Sequence, residues 1–174
     1  MGRAHGRWPA LIIALLGLGS GLSRAEVLSE YELKAQFLYQ FARFVTWPNT
    51  PVGQITLCLY GADPFGGRLA EFDGRTVDNL TITVKYPATL EAAKACHVLF
   101  LNPRPAAELA SSMQALNDLP ILTVSDLPNA WGEKVRISLV TEPNRISFRI
   151  NLTAARRSGL TISSDLLKLA RDLK

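Results

Sequence analysis

A single histidine follows the N-terminal segment, and its position limits the chemistry open to this chain. His97 stands at the start of Val98–Leu101, an apolar run typical of a strand buried on both faces. One histidine cannot assemble a zinc site, which needs several ligands at defined spacings. A Ser-His-Asp triad could use only His97, and no Gly-x-Ser-x-Gly turn supplies the nucleophile. The sequence therefore predicts a packed histidine, no metal, no cofactor and no enzymatic activity.

A glycine-containing turn lies where phosphate-binding loops often occur, between a predicted strand and a predicted helix. It reads Gly-Ala-Asp-Pro-Phe-Gly-Gly from Gly61 to Gly67, and it lacks the Gly-x-Gly-x-x-Gly spacing. Asp63 would repel an anion at the start of that helix, and Pro64 has no N–H to donate. The sequence therefore predicts no phosphate site at this turn.

Two cysteines, Cys58 and Cys96, offer a different kind of chemistry. An even number of cysteines in an exported chain predicts a disulfide, because the compartments outside the cytoplasm are oxidising. A bridge between these two would stabilise the fold by roughly 4 kcal/mol in the chain-entropy model. The alternative is a pair of small, reduced side chains in buried strands.

The N-terminus has the features of a secretory signal. Arg3 and Arg7 precede the apolar run 10–18, and the small-residue stretch after it ends in Ser-Arg-Ala at residues 23–25. This run is too short for a stable membrane span, so it predicts a signal peptide cleaved after Ala25. The remaining domain would cover residues 26–174 and be exported to the periplasm. An uncleaved membrane anchor is the alternative.

Removal of this signal changes the charge of the chain. Three arginines, Arg3, Arg7 and Arg24, would leave with it, so nineteen basic residues fall to sixteen against fifteen acidic ones, a net charge of +1. Nucleic-acid binding needs a clustered basic face. The only adjacent basic pair after the signal is Arg156-Arg157, which is typical of a solvated helix face. The sequence predicts no nucleic-acid partner.

The first predicted helix carries an unusual density of aromatic residues. It runs from Ser29 to Trp47, and Pro48 should end it because the residue before a proline is disfavoured in the helical region. One wide face is apolar, and Arg43 lies on the polar stripe opposite. Extrapolation of the helical phase places Trp47 on that polar stripe, away from the core. The helix could be a buried docking helix with Trp47 on its rim, or Trp47 could help to form a contact site.

The remaining pattern alternates strands with helices and ends in a hairpin. Such alternation predicts parallel strands joined by right-handed crossovers. We therefore expect a single three-layer α/β domain with a mixed, mostly parallel sheet and a C-terminal antiparallel hairpin at one edge. The predicted strands are Gln54–Tyr60, Leu80–Tyr86, Cys96–Leu101, Pro120–Val124, Lys134–Val140 and Arg145–Ile150. The further predicted helices are Pro64–Phe72, Thr89–Ala95, Pro105–Leu116, Asn151–Ser158 and Leu166–Leu173.

Five motifs follow one another in a recognisable order. The first reads Lys-x-x-Phe-x-Tyr-x-Phe-x-x-Phe-x-x-Trp-Pro. In order and spacing the motifs resemble the YfiR-like family of small periplasmic regulators, which includes the HmsC type. One departure is that the family usually has a Gly-Gly pair where Lys134 and Val135 align here, and a second cysteine pair found in some members is absent. The matching segments are 34–48, Leu57–Gly66, Cys96–Leu101, Ile121–Asp126 and Asn144–Ala170.

The resemblance implies a function that the residues alone do not give. YfiR-like proteins repress inner-membrane diguanylate cyclases, so this protein would contact the periplasmic domain of such a cyclase and lower cyclic di-GMP and biofilm formation. Release would come through an outer-membrane lipoprotein or a redox change. The resemblance also favours the Cys58–Cys96 bridge, and we expect a homodimer.

Five side chains are candidates for contact with a partner or ligand. An alternative function is a periplasmic small-molecule sensor, with a pocket formed near the tryptophan and the C-terminal arginines. A periplasmic enzyme of unknown type is the second alternative. The five candidates are Trp47, Arg43, Arg145, Arg149 and Arg157.

Overall fold

A capping box starts the first helix. The Ser29 hydroxyl accepts the backbone N–H of Glu32, and the Glu32 carboxylate accepts the backbone N–H of Ser29. The helix that follows, α1, spans Glu30–Phe41. It is the first element of the computed structural model, which describes residues 29–49 and 51–174. The predicted signal peptide and its cleavage site lie outside these residues.

The predicted extension of this helix to Trp47 is wrong. Its last turn closes with bonds from Arg43 N to Gln40 O at 3.0 Å and from Phe44 N to Phe41 O at 3.1 Å. The chain then becomes extended and forms strand β1, Val45–Thr46. This strand pairs antiparallel with β9, Thr161–Ile162, which comes from the far end of the chain.

The main sheet has eight strands in the order β10-β8-β7-β6-β5-β2-β4-β3. The pairs from β7 through β6, β5 and β2 to β4 are parallel, whereas the hairpin β7–β8 is antiparallel. The hairpin lies next to one edge, where the two-residue strand β10 adds outside it. The strands are β2 Gln54–Gly61, β3 Thr76–Val77, β4 Leu80–Lys85, β5 Val98–Asn102, β6 Leu122–Ser125, β7 Ile137–Glu142, β8 Arg145–Ile150 and β10 Asp172–Leu173.

The helices after α1 are short, and two differ from prediction. Asp63 does not cap a helix; its carboxylate accepts the N–H of Phe65 at 2.7 Å and of Gly67 at 2.8 Å. Only a 3₁₀ helix follows this turn. The last predicted helix ends early, and β10 replaces its final residues. The elements are the 3₁₀ helix Arg68–Phe72, α2 Leu90–Ala93, α3 Glu108–Leu116, α4 Leu152–Arg157 and α5 Ser164–Leu169.

Two hydrophobic clusters cover the two faces of the sheet. The larger one joins the sheet to α1, α5 and the 3₁₀ helix, and Phe41 and Phe100 lie within it. The smaller one joins the other face to α2 and α3, with Leu99 and Leu109 at its centre. The expected three-layer α/β domain is confirmed. No helix in the described part of the chain is long and apolar enough to cross a membrane.

Two residues, Gly61 and Lys134, have positive φ angles that bear on where glycine is needed in the sequence. Gly61 has φ 98°, and a Cβ there would lie 2.0 Å from the carbonyl oxygen of Asn102. Its role is therefore close approach of β2 to β5. Lys134 has φ 63°, in the left-handed region that favours glycine. The sequence resemblance aligns a glycine of the family at this position, and the backbone that Lys134 adopts is one that a glycine would favour.

Candidate interaction site

Trp47 is buried in the core, which corrects the prediction that it faces away from it. Its side chain is only 5% exposed and belongs to the larger hydrophobic cluster. The physical reason is that the chain leaves the helix at Phe41, so the helical phase does not extend to residue 47. The indole meets the His97 ring edge to face at 5.8 Å. Its Nε1–H is buried and has no acceptor among the described residues.

His97 is a packed histidine, as the sequence predicted. Its Nδ1 accepts the backbone N–H of Thr56 at 3.0 Å, so a neutral ring carries its proton on Nε2. Burial lowers the pKa of His97 below its ordinary value. Together with Trp47 and Lys94 it lines a cavity of about 210 Å³. Within residues 29–49 and 51–174, no group of three His, Cys, Asp or Glu side chains is placed to hold a metal.

The predicted Cys58–Cys96 disulfide is confirmed. The two Cα atoms lie 6.0 Å apart, within the distance that a bridge requires. Cys58 lies on β2, and Cys96 lies just before β5, its parallel neighbour. Both side chains are buried. The bridge also forms one wall of a cavity of about 570 Å³ between β4 and α2.

Lys34 is a buried cation that the sequence reasoning did not single out. Its side chain is 2% exposed, and Nζ donates to Asp126 Oδ2 at 2.6 Å and to Glu30. Burial acts to lower the pKa of Lys34, but hydrogen bonds to the two carboxylates hold it above its ordinary value. The pair joins α1 to the carboxyl end of β6. The sequence did contain a signal for this buried cation, because Lys34 interrupts the apolar face of the helix four residues after Glu30.

Arg136 is the second buried cation, and it is held without a carboxylate. Its guanidinium donates to the carbonyl oxygens of Asn117 at 2.5 Å and Leu116 at 3.2 Å, and to Thr123 Oγ1 at 3.3 Å. It therefore satisfies carbonyl groups left open at the end of α3. Burial, and then the nearby charge of Arg157, lower the pKa of Arg136 to about 10. Its role is structural.

The two faces of the β7–β8 hairpin carry different kinds of side chain. Leu139 and Phe148 point to the larger hydrophobic cluster. The opposite face is partly exposed, and cross-strand pairing places Val140 beside Ser147 and Glu142 beside Arg145. We call this surface the hairpin face and define it as Val140, Glu142, Arg145, Ser147 and Arg149.

Charged groups on the hairpin face are joined in ion pairs. Glu142 accepts from Arg145 Nε at 2.6 Å, Ser147 Oγ at 2.8 Å and Arg171 Nη1 at 2.8 Å. The hydrogen bond from Arg145 is the main cause that lowers the pKa of Glu142. Exposed pairs of this kind contribute little to stability. In protein interfaces, charged groups contribute more to specificity than to affinity.

The other arginine of the hairpin face lies beside a tryptophan. Arg149 Nε lies 2.9 Å from Asp172 Oδ2, and its guanidinium is 5.7 Å from the Trp131 ring centre. Arg149 and Trp131 both line a cavity of about 370 Å³, and Ser138 lines it as well. The Oγ of Ser138 is buried there without a hydrogen-bond partner among the described residues.

The structure does not bring the five predicted site residues together. Arg145 and Arg149 share the hairpin face, whereas Arg43 follows α1 and lies 3.8 Å from Asp78. Arg157 lies on α4 and donates to Asn117. The cavity lined by Trp47 contains none of the four arginines. The expected pocket that unites Trp47 with the C-terminal arginines is therefore wrong.

The comparison with known families agrees with the motifs. A family model described as YfiR/HmsC-like matches residues 31–171. The match begins in the first turn of α1 and ends beside β10, so it includes both hydrophobic clusters, the disulfide and the hairpin face.

Proposed function

The chain belongs to the YfiR/HmsC-like family, and from this membership we propose that it is a periplasmic regulator of an inner-membrane diguanylate cyclase. It would bind the periplasmic domain of the cyclase and hold the enzyme inactive, which lowers cyclic di-GMP and biofilm formation. The observation that carries the proposal is the family match over residues 31–171, nearly the whole described domain.

The disulfide supports the proposed compartment. Bridges such as Cys58–Cys96 form and persist in oxidising environments, among them the bacterial periplasm. The signal peptide over residues 1–25 remains a prediction from the sequence, and it agrees with this location.

We propose the hairpin face as the surface that contacts the cyclase. It presents Arg145 and Arg149 on a rigid pair of strands, and arginine is enriched in protein interfaces. Val140 lies on the same face between the two arginines and adds partly exposed apolar surface. A mixed polar and apolar surface of this kind is typical of a non-obligate interface. Trp47 is left out of this contact because it is buried.

The remaining partners belong to the same proposal. A homodimer, and an outer-membrane lipoprotein that competes with the cyclase, would give the repressor a route to release. Arg43 and Arg157 are single exposed cations outside the hairpin face, and a contact role for them stays a prediction.

The test combines a gene deletion with a charge reversal. Deletion should raise cellular cyclic di-GMP, measured by mass spectrometry, and the wild-type gene should restore it. Arg145→Glu should fail to restore it and should co-purify less cyclase. Lys168→Glu is the matched control, because it reverses a similarly exposed charge, 73% against 71%, that also belongs to an i,i+3 ion pair but lies outside the hairpin face.

Two outcomes would contradict the proposal. Unchanged cyclic di-GMP after deletion would reject repression of a cyclase. Equal loss of repression by both charge reversals, with both proteins folded, would reject the hairpin face as the contact surface.

A further inference from the structure

The indole of Trp47, which lines a cavity with His97, carries an unexplained hydrogen-bond donor. Trp47 is nearly fully buried, and its Nε1–H has no acceptor among the described residues. A buried donor without a partner is unfavourable, and native structures seldom keep one without a reason. Substitution by phenylalanine would remove the N–H and keep an aromatic ring, so packing alone does not require an indole at this position.

Two neighbouring polar groups of the cavity are also donors. His97 uses Nδ1 to accept the N–H of Thr56, which leaves Nε2–H as the donor of the neutral ring. Lys94 contributes an ammonium group to the lining and pairs outside it with Glu91 at 2.6 Å. The amide of Asn49, which also lines the cavity, can donate or accept, and no carboxylate of the described residues lines it. A ligand that suits the three donors must bring acceptors.

The size of the cavity limits the ligand. Its volume of about 210 Å³ corresponds to about seven water molecules at about 30 Å³ each. Such a space suits an anion of a few heavy atoms. The remaining lining includes Pro48, Pro120 and Ile121, which give apolar walls for a short carbon chain.

We propose that this cavity binds a small carboxylate anion, whose oxygens accept from Trp47 Nε1 and His97 Nε2 beside the charge of Lys94. Nε1 is closed to solvent in the ligand-free structure, so binding turns the indole toward the cavity. The site lies beyond the proposed repression of a cyclase, and it needs no partner protein to be tested.

The experiment follows the indole N–H signals of the purified protein by ¹H–¹⁵N NMR during titration with acetate and with succinate. Chloride at equal ionic strength controls for salt, and acetamide controls for a neutral acceptor of similar size. We expect one of the two carboxylates to shift the Trp47 signal with saturation, and chloride and acetamide to leave it unchanged.

Two phenylalanine variants make the test specific. Trp47→Phe removes the donor and should weaken carboxylate binding at least tenfold, followed through the His97 ring signals. Trp131→Phe is the matched control, because Trp131 lines a different cavity, and it should bind as the wild type does. A melting temperature for each variant confirms folding.

The proposal is overturned if neither carboxylate shifts the Trp47 signal at about 50 mM, roughly fifty times the 1 mM dissociation constant of a weak ligand. It is also overturned if folded Trp47→Phe binds as tightly as the wild type, or if acetamide binds as well as acetate. The last result would mean that the cavity accepts any small acceptor and does not select an anion.

Discussion

The aromatic stretch 33–48 and the hairpin face differ in how conspicuous their sequences are and in how far their side chains are exposed. The stretch is the most conspicuous part of the sequence, and its side chains Phe41 and Trp47 are packed in the core. The hairpin is an ordinary alternating pair of strands, yet it carries two ion-paired arginines, the exposed Arg145 and the half-buried Arg149. The difference teaches that a dense aromatic motif marks packing first, and that a contact surface is better sought where charge remains exposed.

The largest predicted effect is on the free energy of unfolding, and it should differ between Trp47 and Trp131. Trp47→Ala should lower the free energy of unfolding by roughly 3–5 kcal/mol, as for a buried aromatic side chain. Trp131→Ala, beside Arg149, should cost less because Trp131 is only half-buried. Urea denaturation of both variants measures the difference. Equal costs would break the contrast between a packed stretch and an exposed hairpin.

The next effect concerns the buried cation of the aromatic stretch. Lys34→Met should cost roughly 3 kcal/mol, because it leaves the carboxylate of Asp126 without its partner. Adding Asp126→Leu should recover much of the loss, since an apolar pair of similar volume often replaces a buried ion pair without penalty. A double-mutant cycle by urea denaturation gives the coupling. Additive losses would show that the pair does not act as a unit.

A smaller effect should depend on pH through His97, the ring against Trp47. Burial lowers its pKa in the folded state, so the unfolded chain binds more protons just below its ordinary pKa of about 6.5. The stability contribution is therefore complete above about pH 6.5 and declines as the pH falls below it. Melting temperatures from pH 7.5 to 5.0 should show this decline in the wild type. His97→Asn should flatten it, and an unchanged slope in that variant would assign the decline to other groups.

The smallest effect on stability should come from the hairpin face. Arg145 is 71% exposed, so Arg145→Ala should change the free energy of unfolding by less than about 0.5 kcal/mol. The same variant should nevertheless weaken co-purification of the cyclase domain. A large loss of stability would show that Arg145 has a structural role, and it would contradict our proposal that the hairpin face is a contact surface.

Local patterns were enough to predict several elements. The alternation in Arg145–Ile150 gave the observed bounds of β8, and two cysteines permit only one intramolecular bridge. The general α/β arrangement also followed from the order of strands and helices.

Long-range partners were beyond such patterns. The pairing of β1 with β9 ends the helical path before Trp47, and it joins residues more than a hundred positions apart. The Lys34–Asp126 bond spans 92 positions. Periodicity describes which face of an element is apolar, but it carries no information about which distant carboxylate or strand will meet it. Of the five candidate contact residues, Arg145 and Arg149 lie on one face and Trp47 is buried, and a contact role for any of the five stays a prediction.

The two edges of the main sheet have a consequence for aggregation. The outermost strands β3 and β10 contain two residues each. A long, flat edge would offer a row of unpaired N–H and C=O groups on which another chain could grow a strand, which is a common start of aggregation. Here each outermost strand pairs with only two residues of its neighbour, so it presents little template of its own. Short outer strands of this kind disfavour edge-to-edge aggregation, and they favour partners that recognise side chains over partners that add a strand.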